Sequence, residues 1–260
     1  MRFCSLYSGS SGNSLYVEGT HGKVLVDSGL SGIKISRALN EIGSDPATVN
    51  GILVTHDHSD HVKGLGILSR KFDIPIYLNM NTWLAVKDQI GKVKDENVNI
   101  IEAGKEFEIE DLCVKAFPLN HDAVDPIGFT IRSANRKIGI VTDTGTLNEE
   151  IYENIKMCDL VVMESNHDVN MLMAGRYPYF LKKRVAGEYG HLSNETAAET
   201  IVKLAEEGLR RVVLAHLSEE NNFPQLALET TRNKLKENKL HETVSVEVAR
   251  RFSPSNIYEL

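Results

Sequence analysis

The stretch His56-Asp57-His58-Ser59-Asp60-His61 follows the apolar run Gly51-Ile52-Leu53-Val54-Thr55. It places four potential metal ligands within six positions. Residues two apart in an extended segment point the same way, so His56 and His58 can reach one ion together. Asp60 and His61 come after the chain turns and can face a second ion. Zinc accepts this mixture of imidazole and carboxylate, so the run predicts a metal site rather than an ordinary polar loop.

The composition is that of a soluble globular protein with a full core. The chain has 260 residues, of which 42% are hydrophobic and 25% charged. Because no linker marks a boundary, we expect a single domain over residues 1–260. We expect no membrane span, since no apolar run reaches about 18 residues, and the N-terminal residues turn polar too early for a secretory signal. Three widely spaced cysteines, Cys4, Cys113 and Cys158, are expected to be core residues of a cytoplasmic protein.

The net charge of −7 argues against a protein that binds nucleic acid by overall charge alone. It leaves room for a nuclease, because a local groove can be basic while the whole chain is acidic. Three cationic clusters occur, at Lys182-Lys183-Arg184, Arg210-Arg211 and Arg250-Arg251. Such clusters are usually solvated faces, and we expect only the first to contact substrate.

Periodicity and turn residues divide the chain into strands and helices. The predicted strands are residues 3–7, 14–17, 23–26, 51–54, 74–78, 106–109, 112–118, 129–133, 137–141, 159–163, 211–215 and 243–248. The predicted helices are residues 33–41, 61–71, 193–207 and 225–237. Each half begins with strands and continues with helices. Such a chain can stack two sheets and cover each with helices, which gives four layers.

Further side chains of ligand type follow apolar strands. They are Asp27, His121, Asp143 and His216. Each alone would more often be ordinary turn chemistry, and Asp27 could equally be a turn or helix-capping aspartate. Beside the histidine run, however, the recurrence at several strand ends predicts a shared site at one edge of the fold. Asp27 would then orient a metal-bound histidine without itself binding the ion.

The number of these residues suits two ions. His56, His58 and His121 make one set, and Asp60, His61 and His216 make a second. Asp143 is left over, and a carboxylate can bridge two ions. Two metals about 3.5–4 Å apart can hold an attacking hydroxide and a phosphoryl oxygen together, and they make hydroxide available near neutral pH. We therefore predict two divalent transition-metal ions, zinc or manganese, with iron also compatible with these ligands.

These motifs, in this order, resemble the metallo-β-lactamase superfamily over essentially the whole chain. The resemblance implies an α/β fold, a four-layer αββα sandwich with a dinuclear site at its edge. Asp143 stands where true β-lactamases have a cysteine, which argues against antibiotic hydrolysis. His58 stands where flavodiiron oxidoreductases have a glutamate, which disfavours redox chemistry. The chain also leaves no room for the inserted domain of RNase J-type enzymes.

The chain further resembles the YycJ/WalJ group of bacterial metallohydrolases. The segments that carry this resemblance are residues 7–14, 164–168, 171–178 and 190–194. The group implies a cytoplasmic exonuclease that acts 5′→3′ on DNA. In tRNase Z-like relatives a Glu–His pair donates a proton to the leaving group, and by motif position this pair falls on Glu164 and His191. The alternative for His191 is a histidine that merely flanks a helix, and the role of His167 is left open.

Two segments are predicted to contact substrate. The loop from Gly9 to Ser14 includes Ser11 and Asn13. Its backbone N–H groups could approach a phosphate closely, or the loop could equally be a tight hairpin turn. The segment from Met171 to Tyr189 could line a path for a single strand. Its candidate residues are Arg176, Lys182, Lys183 and Arg184. The alternative is a core-packing helix with a basic outer face.

The sequence thus predicts a dinuclear phosphodiesterase, a 5′→3′ DNA exonuclease with a metal-bridging hydroxide as nucleophile. Asp60, Glu164 and His191 are the predicted catalytic residues. The expected partner is nucleic acid, DNA in the first place, with no membrane, and the oligomeric state is left open. One alternative is a hydrolase of small cyclic phosphodiesters or thioesters. Another is a non-catalytic metal-binding scaffold.

Overall fold

The computed structural model describes all residues, 1–260. The fourteen strands are β1 (Arg2–Tyr7), β2 (Ser14–Glu18), β3 (Lys23–Val26), β4 (Gly51–Leu53), β5 (Ile76–Leu78), β6 (Val98–Ile100), β7 (Glu106–Ile109), β8 (Leu112–Pro118), β9 (Ile127–Ser133), β10 (Arg136–Val141), β11 (Leu160–Glu164), β12 (Arg211–Ala215), β13 (Ser245–Val248) and β14 (Tyr258–Glu259). The nine α-helices are α1 (Gly32–Glu41), α2 (Ser59–Val62), α3 (Leu65–Phe72), α4 (Met80–Val86), α5 (Glu149–Ile155), α6 (Val169–Ala174), α7 (Tyr179–Val185), α8 (Asn194–Glu206) and α9 (Pro224–Glu237). Two short 3₁₀ helices cover Pro46–Thr48 and Asp95–Asn97.

The chain forms two compact units. The first, unit 1, comprises Met1–Pro118, Ala123–Asn135 and Arg250–Leu260; the second, unit 2, comprises Leu119–Asp122 and Arg136–Ala249. The prediction of a single domain therefore stays a prediction.

Unit 1 contains a mixed sheet of seven strands in the order β14-β1-β2-β3-β4-β5-β6. Strands β14 to β3 pair antiparallel, and β3 to β6 pair parallel. Helices α1 and α3 bury Ile35, Leu39, Leu65 and Leu68 in the same core cluster as Ile52 of β4. Strands β7, β8 and β9 follow as an antiparallel meander. Along β8 the side chains alternate between buried and partly exposed over its first four residues, which gives the period of two that marked the strand in the sequence.

Unit 2 contains the parallel strands β10, β11, β12 and β13, paired in that order. Strand β11 is buried along its whole length, which explains why its sequence is a continuous apolar run up to Glu164. Helix α8 is capped by Ser193, whose hydroxyl accepts from the backbone N–H of Thr196, and it ends before Gly208. The polar side chains that follow β10, β11 and β12 therefore come from neighbouring parallel strands.

The helix predicted for residues 61–71 is instead two helices, α2 and α3, separated at Lys63 and Gly64. The backbone N–H of Gly64 donates to the Ser28 carbonyl at 2.7 Å, and that of Ser28 donates to the His61 carbonyl at 2.8 Å. A side chain at Gly64 would overlap the Leu30 carbonyl. The segment after β3 thus takes over hydrogen bonds that a continuous helix would make internally.

The cysteines behave differently from one another. Cys4 and Cys158 are buried, as predicted. Cys113 is only partly buried, and its sulfur lies 3.5 Å from Glu106 Oε2, so the prediction that it is a core residue is wrong. No helix of the protein combines the length and apolar character that a bilayer crossing requires.

Candidate metal centre and proton donor

In unit 1 the histidine run begins at His56, three residues beyond the end of β4, and continues into α2. The ring centroids of His56 and His58 are 4.7 Å apart, and those of His56 and His61 are 4.1 Å apart. His56 and His61 are buried, while His58 and Asp60 are partly exposed. The strand end and the first helical turn therefore gather three imidazoles, as the spacing in the sequence indicated.

A buried network fixes these rings. Asp27 Oδ2 lies 2.7 Å from His61 Nδ1 and accepts from the Thr55 hydroxyl at 2.8 Å, while Asp27 Oδ1 accepts from the Thr55 backbone N–H at 2.9 Å. The Thr55 hydroxyl also lies 2.9 Å from His56 Nδ1. Thr55 was not singled out from the sequence, where it reads as an ordinary strand residue. Its place between Asp27 and His56 makes it a positioning residue.

Asn13 belongs to the same network. Its side-chain N–H₂ lies 3.0 Å from His61 Nε2 and 3.3 Å from Asp60 Oδ2, and its side-chain oxygen accepts from the Gly9 backbone N–H at 2.8 Å. Asn13 is buried, whereas Ser11 is exposed. The loop joins β1 to β2 as a hairpin, which was the alternative considered for it. Contact of Ser11 or Asn13 with phosphate stays a prediction.

In unit 2, three ligand candidates stand at the ends of adjacent parallel strands: Asp143 after β10, Glu164 at the end of β11 and His216 after β12. Ligand atoms of these three residues and of His191 all lie within 4.8 Å of one another. His216 Nδ1 is 3.3 Å from Asp143 Oδ1. His121 completes the group, with its Nε2 3.8 Å from Asp143 Oδ1. The structure thus brings together the predicted metal ligands and the predicted Glu–His pair of unit 2.

Glu164 is the electrostatic centre of this group. Its side chain is fully buried and accepts four hydrogen bonds. The donors are His191 Nδ1 at 2.7 Å, His216 Nδ1 at 2.9 Å, Thr144 N at 3.0 Å and Leu192 N at 3.2 Å. Burial alone would raise the pKa of this carboxyl, but the charges and hydrogen bonds of His191 and His216 hold the pKa well below its usual range. Glu164 is therefore an anion.

Three histidines in and beside this group, His121, His167 and His191, differ in their pKa values. Burial would lower the pKa of His191, but the nearby Glu164 carboxylate raises it above the ordinary histidine value. Burial lowers the pKa of His121 and brings that of His167 to about 4. His167 Nδ1 is buried without a hydrogen-bond partner. Of these three, only His191 is set up to carry a proton near neutral pH.

Three site residues adopt a left-handed backbone although none is glycine: Asp27 (φ 63°), Asp143 (φ 62°) and His216 (φ 55°). This conformation is uncommon for side chains other than glycine and costs on the order of 1–3 kcal/mol per residue. Asp27 and His216 come directly after a strand, and Asp143 comes one residue later, after Thr142. The turn directs the side chain away from the strand's own alternation, which strand periodicity alone does not predict.

The donor set fits metal ions. In His56, His61, His121 and His216 the Nδ1 atom lies within hydrogen-bond distance of an oxygen, from Thr55, Asp27, Gly190 and Glu164 respectively. With the ring proton on Nδ1, the lone pair lies on Nε2. Metal-bound histidines are held in this way, with one ring nitrogen on a carboxylate, hydroxyl or carbonyl and the other on the metal.

The remaining predicted residues lie on or beside α7 in unit 2. Arg176, Lys183 and Arg184 are exposed, and Lys182 is partly buried with its ammonium 2.6 Å from the Met173 carbonyl. Arg184 forms an ion pair with Asp122. Helix α7 contains no buried residue, so the alternative of a core-packing helix does not hold for α7, whereas α6, earlier in the same segment, buries Leu172.

The fold and the site together place the chain among known hydrolases. A family model described as a beta-lactamase superfamily domain matches residues 23–217. The chain belongs to the metallo-β-lactamase superfamily, and the predicted fold class, an α/β sandwich of that type, is confirmed. It is a metal-dependent hydrolase, so the alternative of a non-catalytic scaffold is excluded.

Curated relatives of this chain include YycJ and WalJ proteins, the group that the sequence motifs indicated. Exodeoxyribonuclease YycJ of Bacillus anthracis is 41% identical over 227 residues, which cover 87% of this chain and 86% of its own. Exodeoxyribonuclease WalJ of Streptococcus pneumoniae is 39% identical over 236 residues, which cover 90% of this chain and 88% of its own. Among solved structures, Zn²⁺-bound PqqB of Methylobacterium extorquens superimposes with a TM-score of 0.72 at 16% identity, over 98% of this chain and 100% of that one. The predicted resemblance to the YycJ/WalJ group is confirmed.

Proposed function

We propose that this protein is a dinuclear phosphodiesterase that degrades DNA from its 5′ end. The observation that carries the proposal is the pairing of His191 with the buried Glu164 anion at 2.7 Å, next to Asp143 and His216. A hydrolase of alkyl phosphodiesters needs such a proton donor, because the departing sugar oxygen is a poor leaving group. The names of the relatives at 39–41% identity support DNA as the substrate class.

The two ions would be held by seven residues, and the physical basis is the common Nδ1 anchoring described above. The ligands would be His56, His58, Asp60, His61, His121, Asp143 and His216. Bound ions of this kind polarise the phosphoryl oxygens and lower the pKa of water, so that hydroxide is available near neutral pH. Zinc and manganese both accept these ligands, and iron is a further candidate.

The protein's own residues have separate roles in this scheme. Asp27 and Thr55 hold the rings of His61 and His56 in place through the hydrogen bonds at 2.7 and 2.9 Å. Asp60, a carboxylate within the histidine run, would help to hold the ions and is one of the proposed catalytic residues. His191 donates its proton to the departing sugar oxygen, and Glu164 keeps His191 charged and correctly turned.

The test is digestion of end-labelled DNA by protein loaded with zinc or manganese. A strand labelled at its 3′ end should yield a ladder that shortens progressively from the unlabelled 5′ end. Cleavage of circular single strands would show endonuclease activity and contradict the proposal. Hydrolysis of a cyclic phosphodiester or a thioester without any cleavage of polynucleotides would favour a small-molecule hydrolase instead.

A further inference from the structure

The segment of residues 176–189 presents aromatic side chains to solvent. Tyr179, Phe180 and Tyr189 are 71%, 74% and 58% exposed, and α7 buries none of its residues. Large aromatic side chains usually dominate cores, so several of them exposed on one short segment indicate a binding surface. We call residues 176–189 the α7 segment.

The same segment is cationic in an acidic protein. It carries Arg176, Lys182, Lys183 and Arg184 against the single acid Glu188, while the whole chain has a net charge of −7. The Lys183 ammonium lies 4.8 Å from the Tyr179 ring centroid, and neither Lys183 nor Arg176 forms an ion pair with a carboxylate. Arg184 is paired with Asp122 and the Lys182 ammonium donates to the Met173 carbonyl, so Lys183 and Arg176 are the cations left for a polyanion.

The α7 segment is joined directly to the proposed proton donor. The backbone N–H of His191 donates to the Val185 carbonyl at 2.9 Å, and a side chain at Gly190 would overlap the carbonyls of Arg184 and Val185. A cavity of about 160 Å³ lies here, lined by Tyr177, Arg184 and His191 among others. It is smaller than the pockets of about 300–1,000 Å³ that enclose small-molecule ligands, so it suits one end of a longer chain.

We propose that the α7 segment is the docking surface for single-stranded DNA, which it leads into the cavity beside His191. Bases stack on Phe180 and Tyr179, and phosphates lie against Lys183 and Arg176. Stacking on aromatic rings combined with a cationic track is how proteins bind single strands without reading their sequence. This inference rests on the proposed nuclease function and adds the form of the substrate and its route.

The experiment measures binding of a fluorescent oligothymidylate of about 20 nucleotides, with phosphorothioate linkages that resist hydrolysis, to the metal-loaded protein. Phe180→Ala should raise the Kd about 5-fold or more, the lower end of the effect of one base–aromatic stack. Phe180→Tyr should restore tight binding, whereas Phe180→Leu, which stays apolar but has no ring, should not. Lys183→Gln should weaken binding and reduce the salt slope by about 0.7, the share of one phosphate on a single strand.

Two matched controls are available. Phe252→Ala removes a phenylalanine that is 75% exposed, and Lys203→Gln removes an exposed lysine of α8; neither should change the Kd. Melting temperatures should be unaltered in the Phe180 variants, because that side chain packs in no core. Equal binding by Phe180→Leu and Phe180→Tyr would show apolar docking of another kind and overturn the inference.

The outcomes separate this inference from the function on which it rests. If the unsubstituted protein degrades DNA but Phe180→Ala and Lys183→Gln bind the strand normally, the α7 segment is not its path and only this inference fails. If the unsubstituted protein neither degrades DNA nor binds the strand, the proposed function fails first. Binding of phosphatidylglycerol vesicles that depends on Phe180, with no such dependence for the strand, would identify a lipid surface as the partner instead.

Discussion

Replacement of His191 by alanine tests the proton donor separately from the metal ligands. His191 Nδ1 lies 2.7 Å from the fully buried Glu164 carboxylate, which raises the pKa of His191 above its ordinary value. His191→Ala should therefore slow the hydrolysis of natural DNA by about 10²–10⁴-fold, the usual worth of one positioned acid. This corresponds to about 2.7–5.4 kcal/mol of activation free energy.

The loss should nearly vanish on bis(p-nitrophenyl) phosphate, because nitrophenolate departs without a donated proton. The assay compares kcat/KM of both substrates for His191→Ala and for the unsubstituted protein. His167→Ala serves as the control, because a pKa of about 4 leaves only about one His167 ring in a thousand protonated at pH 7. His167→Ala should thus show no preference between the two leaving groups.

Equal impairment of His191→Ala on both substrates would refute the reasoning and give His191 a role in binding or structure. A leaving-group effect in His167→Ala would move the donor to that residue. Metal content should be measured in both variants, because loss of metal would slow both substrates alike.

Protein purified without chelator should contain about two equivalents of transition metal by elemental analysis, and a metal content near zero after reconstitution would contradict the dinuclear centre. Chelation should lower the melting temperature, because ions at 100 times their Kd stabilise the folded state by about 2.7 kcal/mol. Asp27→Asn should weaken metal binding about 10–100-fold in competition with a chromophoric chelator, because the His61 ring loses its anionic acceptor at 2.7 Å. Asp143→Gly should abolish most activity. In urea titrations its free energy of unfolding should nevertheless exceed that of Asp143→Ala by about 1–2 kcal/mol, because φ is 62° at this position. The pKa of the Asp111 carboxyl lies below its ordinary value. Burial alone would raise this pKa, but hydrogen bonds from Ser133 and from the N–H groups of Gly22, Thr20 and His21 outweigh the effect of burial. The contribution of Asp111 to stability is therefore present above the unfolded-state pKa of about 3.9, and it is lost as the pH falls from there towards the lower folded-state pKa. Asp111→Asn should destabilise the protein by about 1 kcal/mol at pH 7 and by less near pH 3. Urea unfolding at both pH values measures the difference.

Local pattern was enough to determine much of the secondary structure and the composition of the site. The strands Glu106–Ile109, Leu112–Pro118 and Arg211–Ala215 have the same ends in the structure as in the prediction. Their alternation or continuous apolar character is written in consecutive residues, and so are their turns. The candidate ligands could be named for a similar reason, since parallel strands bring their carboxyl ends to one edge and polar residues directly after them share that edge.

Other features depend on contacts between residues far apart in the chain, and only the tertiary structure decided them. The break between α2 and α3 comes from hydrogen bonds with Ser28, more than thirty positions away from His61 and Gly64. The roles of Thr55 and Asn13 arise because Asp27 and His61 are brought against them. The left-handed turns at Asp143 and His216 have no local signature. Neither does the absence of buried residues in α7, since an amphipathic or basic stretch has the same pattern whether or not another element covers it. The sequence by itself therefore determined which residues are candidates for the site. The fold decided how their rings are turned, which of them is set up to hold a proton, and which cationic and aromatic surface stays exposed, because each of these depends on burial and on neighbours distant in sequence.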